Sequence, residues 1–355
     1  MRLVLIAALV SVLMSLILTP TLANFLRRHR LAQAIRMSEN GIAYPEHQAK
    51  VGTPSMGGAA FLSALLIGYT TAHVVTWRAP SYSALLAIGL TLALGAVGMA
   101  DDYLKIFKQR STGIRARTKL IGQAAAALTF AYLALQNPTN AEVSPASLAV
   151  SFVRDTPLVL PTVLFIAWVW FLVTATTNGV NLTDGLDGLA TGAAGLTFGA
   201  YTVIALWQYG QSCFFEVVPR CYSVADPFDL AVFAAAFSGA CFGFLWYNTS
   251  PARIFMGDTG SLSIGGGIAA LAVMTKTELL LPLLAGLFVI ITLSVILQVG
   301  SFRLRGKRIF KMAPLHHHFE LSGWHEVTIV VRFWLIQGAL VALGVAIFYA
   351  EWVRQ

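Results

Sequence analysis

Asn181-Leu-Thr-Asp-Gly-Leu-Asp-Gly-Leu-Ala190 lies directly between two apolar runs, each long enough to cross a bilayer. Carboxylates in such a place read first as functional, because a charge at the edge of hydrocarbon is costly to keep without a task. Asp184 and Asp187 are three apart and share a face if the segment is helical, while Gly185 and Gly188 let backbone or ligand approach closely. Two negative charges that close ask for a cation.

The flanking runs are typical of the whole chain. Of its 355 residues, 57% are hydrophobic and only 11% charged, and the apolar ones come in blocks of about twenty, enough to span about 30 Å of hydrocarbon as helix. The fold class is therefore all-α: a polytopic integral membrane protein with ten transmembrane helices. The expected spans are roughly 3–23, 56–77, 84–100, 118–135, 158–176, 189–207, 229–247, 261–275, 279–302 and 329–350. No soluble domain, low-complexity linker or clear repeat interrupts them, so residues 1–355 read as a single transmembrane catalytic domain.

Basic residues give the orientation, since cytoplasmic loops hold an excess of Lys and Arg. Arg27, Arg28, Arg30, Arg36 and Lys50 follow span 1; Lys105, Lys108, Arg110, Arg115, Arg117 and Lys119 follow span 3; Arg303, Arg305, Lys307, Arg308 and Lys311 follow span 9. Loops of opposite parity hold only Arg78, Arg154, Arg220 and Lys276, with Arg2 and Arg354 at the termini. Both termini are thus expected on the outer side. The basic cluster follows the first apolar core instead of preceding it, which argues for a retained helix over a cleaved signal peptide. The same loops account for the net charge of +8 without nucleic acid, and a basic inner face attracts anionic lipid headgroups and phosphorylated substrates.

Cys213 and Cys221 both fall between spans 6 and 7, outside, and Cys241 lies within span 7. An outer pair can form a disulfide in an oxidising compartment, though spacing alone leaves two free thiols equally open.

The inner loops share acidic residues. Asp101 and Asp102 end span 3, Asp184 and Asp187 separate spans 5 and 6, and Asp258 precedes span 8. Clustered carboxylates repel unless neutralised, and oxygen-only ligation suits a hard cation such as Mg²⁺. The lack of Cys in these loops and of an H-E-x-x-H pattern argues against a zinc hydrolase. Lys50, Lys105 and Lys119, with Arg110, Arg115 and Arg117 close by, add the positive charge that a metal-bridged phosphate substrate needs.

In Ile254-Phe-Met-Gly-Asp-Thr-Gly-Ser261, Gly257 and Gly260 make a turn, and Asp258, Thr259 or Ser261 can cap the helix that follows. A helix start also offers free N–H groups to a phosphate. Phe255 can stack on a base or anchor the loop. In Pro314-Leu-His-His-His-Phe-Glu320, adjacent imidazoles rarely all ligate one metal; contact with phosphate or sugar fits better, with Glu320 as an orienting partner.

Together these motifs resemble the phospho-N-acetylmuramoyl-pentapeptide transferases, integral enzymes of peptidoglycan synthesis within the polyprenyl-phosphate N-acetylhexosamine-1-phosphate transferase superfamily. The resemblance covers essentially the whole chain. It rests on Lys50-Val-Gly-Thr-Pro-Ser-Met-Gly-Gly58, Asp101-Asp-Tyr-Leu-Lys105, Asn181 to Ala190, Tyr247-Asn-Thr-Ser-Pro-Ala252, Phe255 to Ser261 and Pro314 to Glu320, in the family's order. Ser55 stands where the family's pattern has Thr, which keeps the hydroxyl.

The resemblance implies a homodimer in the bacterial inner membrane, with the active site on the cytoplasmic face and a groove for the polyprenyl chain beside a bent helix 9. It implies transfer of phospho-MurNAc-pentapeptide from UDP-MurNAc-pentapeptide to undecaprenyl phosphate, giving lipid I and UMP. Asp258 would bind Mg²⁺, and Asp101 and Asp102 would be catalytic. Lys50, Asn181, Asp184, Asp187, Asn248 and Phe255 would line the uridine-diphosphate sugar site, with His317 and His318 nearby and Gln298 a further pocket member. Ser55, Lys105, Lys119, Gly257, Ser261 and His316 join the substrate-binding set. The lipid phosphate, with a second pKa of about 6, is already mostly dianionic and barely needs a general base. Direct attack is therefore favoured, with an aspartyl-phosphate route left open. Two other functions fit the broad pattern: a sister transferase using UDP-N-acetylhexosamine without peptide, and a cation-coupled transporter.

Overall fold

The computed structural model describes residues 1–29, 52–107, 113–136, 143–215 and 221–353. Arg30, Arg36, Lys50, Lys108, Arg110, Arg220 and Arg354 lie outside the described residues. Within them the chain is an all-α membrane protein built on ten helices of 18 residues or more: α1 (Arg2–Arg28), α2 (Gly57–Thr76), α3 (Tyr82–Phe107), α4 (Ala116–Ala134), α5 (Thr162–Thr183), α6 (Leu189–Gly210), α7 (Pro227–Asn248), α8 (Gly257–Met274), α10 (Gly286–Arg305) and α12 (Glu326–Val353). Two short helices, α9 (Leu281–Leu284) and α11 (Leu315–Glu320), and a two-stranded hairpin, β1 (Ala149–Ser151) with β2 (Asp155–Val159), complete it.

Eight of the ten are long and apolar enough to cross a bilayer; α4 and α8 fall short. Each has its reason in the sequence. Helix α4 carries Arg117, Lys119 and Gln123 in its first turns. Helix α8 is buried throughout from Thr259 to Met274, so Gly and Ser replace the bulky residues that face lipid elsewhere. It sits at the centre, packed by α3, α5 and α2. Beside it Phe198 and Phe237 stack at 4.0 Å, with Phe61, Phe233 and Phe244 around them. At the periphery Leu5, Leu9, Leu13 and Ile17 of α1 are exposed at helical spacing, as a bilayer-facing stripe requires.

Several boundaries differ from expectation; the third helix runs on to Phe107, so Asp101 and Asp102 lie within it, and the eighth starts at Gly257, so Asp258 lies within it. The fifth helix begins at Thr162, not near 158, because Asp155–Val159 pairs with β1 and Pro161 caps the helix; it then runs on through Asn178 and Asn181 to Thr183. Asp184 and Asp187 consequently sit in the connection to α6 and share no helix face. The expected ninth span is broken, with Ala285 (φ −113°, ψ 31°) ending α9 and starting α10. Cys213 and Cys221 are disulfide-bonded, their Cα atoms 4.9 Å apart, and Cys241 is a buried free thiol.

Candidate active site

Asp258 occupies the first turn of α8 and gathers side chains from three other helices. Lys119 of α4 donates to its Oδ2 at 2.7 Å and Lys105 of α3 at 3.1 Å; Asn181 of α5 donates to its Oδ1 at 2.8 Å. Asn181 Nδ2 also donates to Ser261 Oγ at 2.8 Å, tying α5 to the next turn of α8. Lys105 reaches Asp101 Oδ2 as well, at 2.5 Å across one helical turn.

The capping prediction meets a different answer. None of Asp258, Thr259 or Ser261 caps α8 with its own side chain. Asp102 of α3 does so from outside, accepting Asp258 N at 3.0 Å, Thr259 N at 2.9 Å and Thr259 Oγ1 at 2.7 Å. The anion neutralises a helix N-terminus inside the protein. Gly257 makes this approach feasible: its φ is +75°, and a Cβ there would stand 2.5 Å from Asp102 Oδ2 and 3.0 Å from Ser55 Oγ. Ser55 is buried on the opposite side of the turn, its strand-like neighbours bonded to the Phe255 loop through Phe255 N to Pro54 O and Gly57 N to Phe255 O.

Asp101, Asp102 and Asp258 each offer an oxygen within 4.8 Å of the others. The donor set is three carboxyl groups with oxygen-only ligation, and the lysines seated on Asp258 mark where positive charge is stabilised. These residues can hold a hard divalent metal ion. Asp184 lies at the end of α5 in the same anionic neighbourhood; desolvation pushes its carboxyl up to about 8, and the charges of Asp258, Asp102 and Asp187 act in the same direction.

Other residues singled out from the motifs brace loops. Asp187 turns away from the cluster, accepting Ala252 N at 3.0 Å, while its own N–H donates to Glu326 at 2.8 Å. Asn248 is buried, donating to Ile254 O and accepting from Thr191. Gln298 closes the loop before α11, accepting Ile309 N and Phe310 N and donating to Phe310 O.

The three histidines take different environments. His317 pairs with Glu320 at 2.5 Å, the expected orienting contact, and His318 Nδ1 accepts Lys311 N at 3.1 Å. His316 is fully buried against Gly185, where any side chain would collide with its Nε2, and burial holds its pKa well below the ordinary imidazole value. Its neutral ring packs against the Asp184–Asp187 connection and is closed off from solvent.

Glu326, missed in the sequence, enters through its bond to Asp187; an acid in a helix's first turn reads there only as a dipole partner. An apolar groove of about 520 Å³ runs between α5, α8, α9 and α10. Trp168, Phe171, Asn178, Pro282, Phe288, Thr292 and Ile296 line it, and the break at Ala285 shapes one wall.

A family model described as glycosyl transferase family 4 matches residues 84–276. The chain is 53% identical to the phospho-N-acetylmuramoyl-pentapeptide-transferase of Streptomyces avermitilis over 100% of its own length and 99% of the relative's. It is 54% identical to the protein of that name in Kineococcus radiotolerans and 51% identical to that in Cutibacterium acnes, with 99% of each chain covered in both cases.

Proposed function

Since the chain belongs to the phospho-N-acetylmuramoyl-pentapeptide transferases, we propose that it transfers phospho-MurNAc-pentapeptide from UDP-MurNAc-pentapeptide to undecaprenyl phosphate, forming lipid I and releasing UMP. The observation that carries this reading is the convergence on Asp258 of Lys105, Lys119 and Asn181, with Asp101 and Asp102 beside it. An anionic phosphate attacking an anionic diphosphate needs neutralisation more than it needs a base.

Asp258 is the proposed Mg²⁺ ligand, with Asp101 nearest to share it, and the ion would supply charge neutralisation and in-line positioning. Lys119 and Lys105 then hold phosphate oxygens. A lipid phosphate oxygen bonds to the sugar-linked phosphorus as the bond to UMP breaks. All three donors on Asp102 are protein groups of the α8 start, which favours a structural anion over a nucleophile there and so favours direct attack. Asn181, Asp184, Ser261, Phe255 and the His317–Glu320 pair are the proposed walls of the UDP-sugar site, with Lys50 contributing from its motif. Asn248, Asp187, Gln298 and His316 act through the loops they hold.

The groove along α5 and α10 is the proposed berth of the polyprenyl chain. Ten spans, α4 and α8 included, outward termini, a site on the cytoplasmic face of the bacterial inner membrane, one catalytic domain and a homodimer complete the proposal. Its support is the positive-inside distribution and the family. Incubating purified protein with polyprenyl phosphate, Mg²⁺ and a panel of UDP-sugars tests it. UMP and a lipid-linked product from UDP-MurNAc-pentapeptide are expected, with labelled UMP exchanging back when lipid I is supplied. A preference for UDP-GlcNAc moves the chain to the sister branch, and no exchange with any UDP-sugar overturns the enzyme reading.

A further inference from the structure

One turn along from the site, two of the three helices that hold Asp258 carry a second polar pair. Gln123 follows Lys119 by four residues on α4, and Asn178 precedes Asn181 by three on α5, so both lie on the faces that reach Asp258. Asn178 also lines the apolar groove, one helical turn from Asn181 of the carboxylate site.

Hydrogen bonding fixes how these amides point. Asn178 Nδ2 donates to Thr174 O at 2.7 Å, which assigns its nitrogen. The same nitrogen faces Gln123 Oε1 at 3.4 Å, which assigns the Gln123 oxygen in turn. Gln123 Nε2 is left with no acceptor, although the side chain is fully buried. Thr174 Oγ1, on a residue that lines the groove, is likewise unpaired.

A buried amide donor without an acceptor is expensive, more so where no water competes. If the pair served only to glue α4 to α5, a reciprocal amide bond would serve better than one long contact. An oxygen anion brought to the Gln123–Asn178 pair would match the vacant donor.

We propose that Gln123 binds the phosphate end of the polyprenyl phosphate, donating from Nε2 to a phosphate oxygen, and that Asn178 positions the Gln123 amide. This deepens the transferase reading and rests on it. Lys119 then holds the phosphate from the Asp258 side while Gln123 holds it from one turn further along α4. The pair sets how far the lipid slides toward the UDP-sugar.

The test compares wild type with Gln123→Met, which keeps the volume and removes the donor. The apparent KM for polyprenyl phosphate is expected to rise roughly tenfold, the loss of one hydrogen bond to a charged group, with the KM for UDP-sugar within about twofold. Direct binding of a prenyl monophosphate against the corresponding prenol gives a second readout: the preference for the phosphate should shrink by about the same factor. A merely structural role would not move that ratio. Should Gln123→Met fail to fold, Asn178→Leu leaves Gln123 in place, frees its amide to rotate and gives the same readouts. Wild-type UMP release with polyprenyl phosphate is the control. Its absence overturns the transferase reading, whereas its presence with an unchanged lipid KM and phosphate preference in the variants overturns the amide assignment alone.

Discussion

Asp102 accepts the backbone N–H groups of Asp258 and Thr259, and so caps a helix that begins 155 residues further along the chain than itself. One carboxylate thereby fixes the backbone of the residue whose side chain gathers Lys105, Lys119 and Asn181. The adjacent acids have separate tasks: Asp101 takes Lys105 and Ile114 N, while Asp102 takes the start of α8.

That division makes the two aspartates separable by experiment. Asp102→Asn forfeits a charged acceptor for three buried donors and should cost about 1–3 kcal/mol of stability along with turnover. Asp101→Asn should lose turnover with a smaller fall in thermal midpoint. Equal midpoints for the two variants would refute the capping role.

Asp258→Asn should abolish turnover and weaken Mg²⁺ binding while the folded yield stays near wild type, because the isosteric amide keeps an oxygen for Lys105 and Lys119 and leaves the Asp102 cap of α8 in place. Mg²⁺ titration of activity, together with Mn²⁺ binding followed by spectroscopy, checks it. Normal metal-dependent turnover in this variant would remove the assignment.

Glu326 should act through the loop it holds. Glu326→Gln retains an oxygen for Asp187 N and should remain near wild type, whereas Glu326→Ala should raise the KM for UDP-sugar several-fold, the loss of about 1 kcal/mol of bonding. A lipid KM that rises in parallel would contradict this division of labour.

The Cys213–Cys221 bond joins the end of α6 to the start of the segment leading into α7, at the far end of α6 from the Asp184–Asp187 connection. Replacing both cysteines by Ser should lower stability by about 2–3 kcal/mol, as expected for so short a loop, without changing the rate constant of turnover at permissive temperature. Thermal scans with and without reductant, paired with initial rates, decide the matter; a matching drop in rate would tie the outer loop to catalysis.

Glu278, buried between α8 and α9, accepts Ser151 N, and burial pushes its carboxyl up to about 8. The unfolded chain releases this proton near the ordinary 4.5, so the folded chain holds it between those two values. Stability from this group is fully present at low pH, declines as pH rises through that window and levels off above it. Glu278→Gln should flatten the slope of thermal midpoint against pH across the same window, and an unaltered slope would count against it.

Much of the site was legible because chemistry there depends on residue type at fixed spacing. Asn181, Lys105 and Asp258 come from separate motifs, Lys119 from the basic stretch after the third span, and they meet at one carboxylate. The motif pattern could not tell which polar atoms face substrate and which face backbone. Asn248, Asp187 and His316 from the motifs, and Gln298 from the ninth span, spend the bonds or the bulk seen here on loops. Gln123 left no trace in the sequence, since a lone amide in an Ala-rich helix reads as surface until its burial is known. Hydropathy found the helices but not the break at Ala285, because an interrupted helix stays equally apolar across its interruption. The small, polar surface of α8 is a consequence of enclosure, which no local window registers.

The groove has exposed apolar side chains along its rim, among them Trp170, Phe171, Leu293 and Ile296, so it opens on the apolar flank of the helix bundle. If it is the berth proposed above, a cleft with that aspect would turn capture of the greasy partner into a two-dimensional search: an acceptor would drift in sideways with its tail still among the lipids, while the nucleotide sugar came from the aqueous side. The two reactants would then reach the site by separate routes.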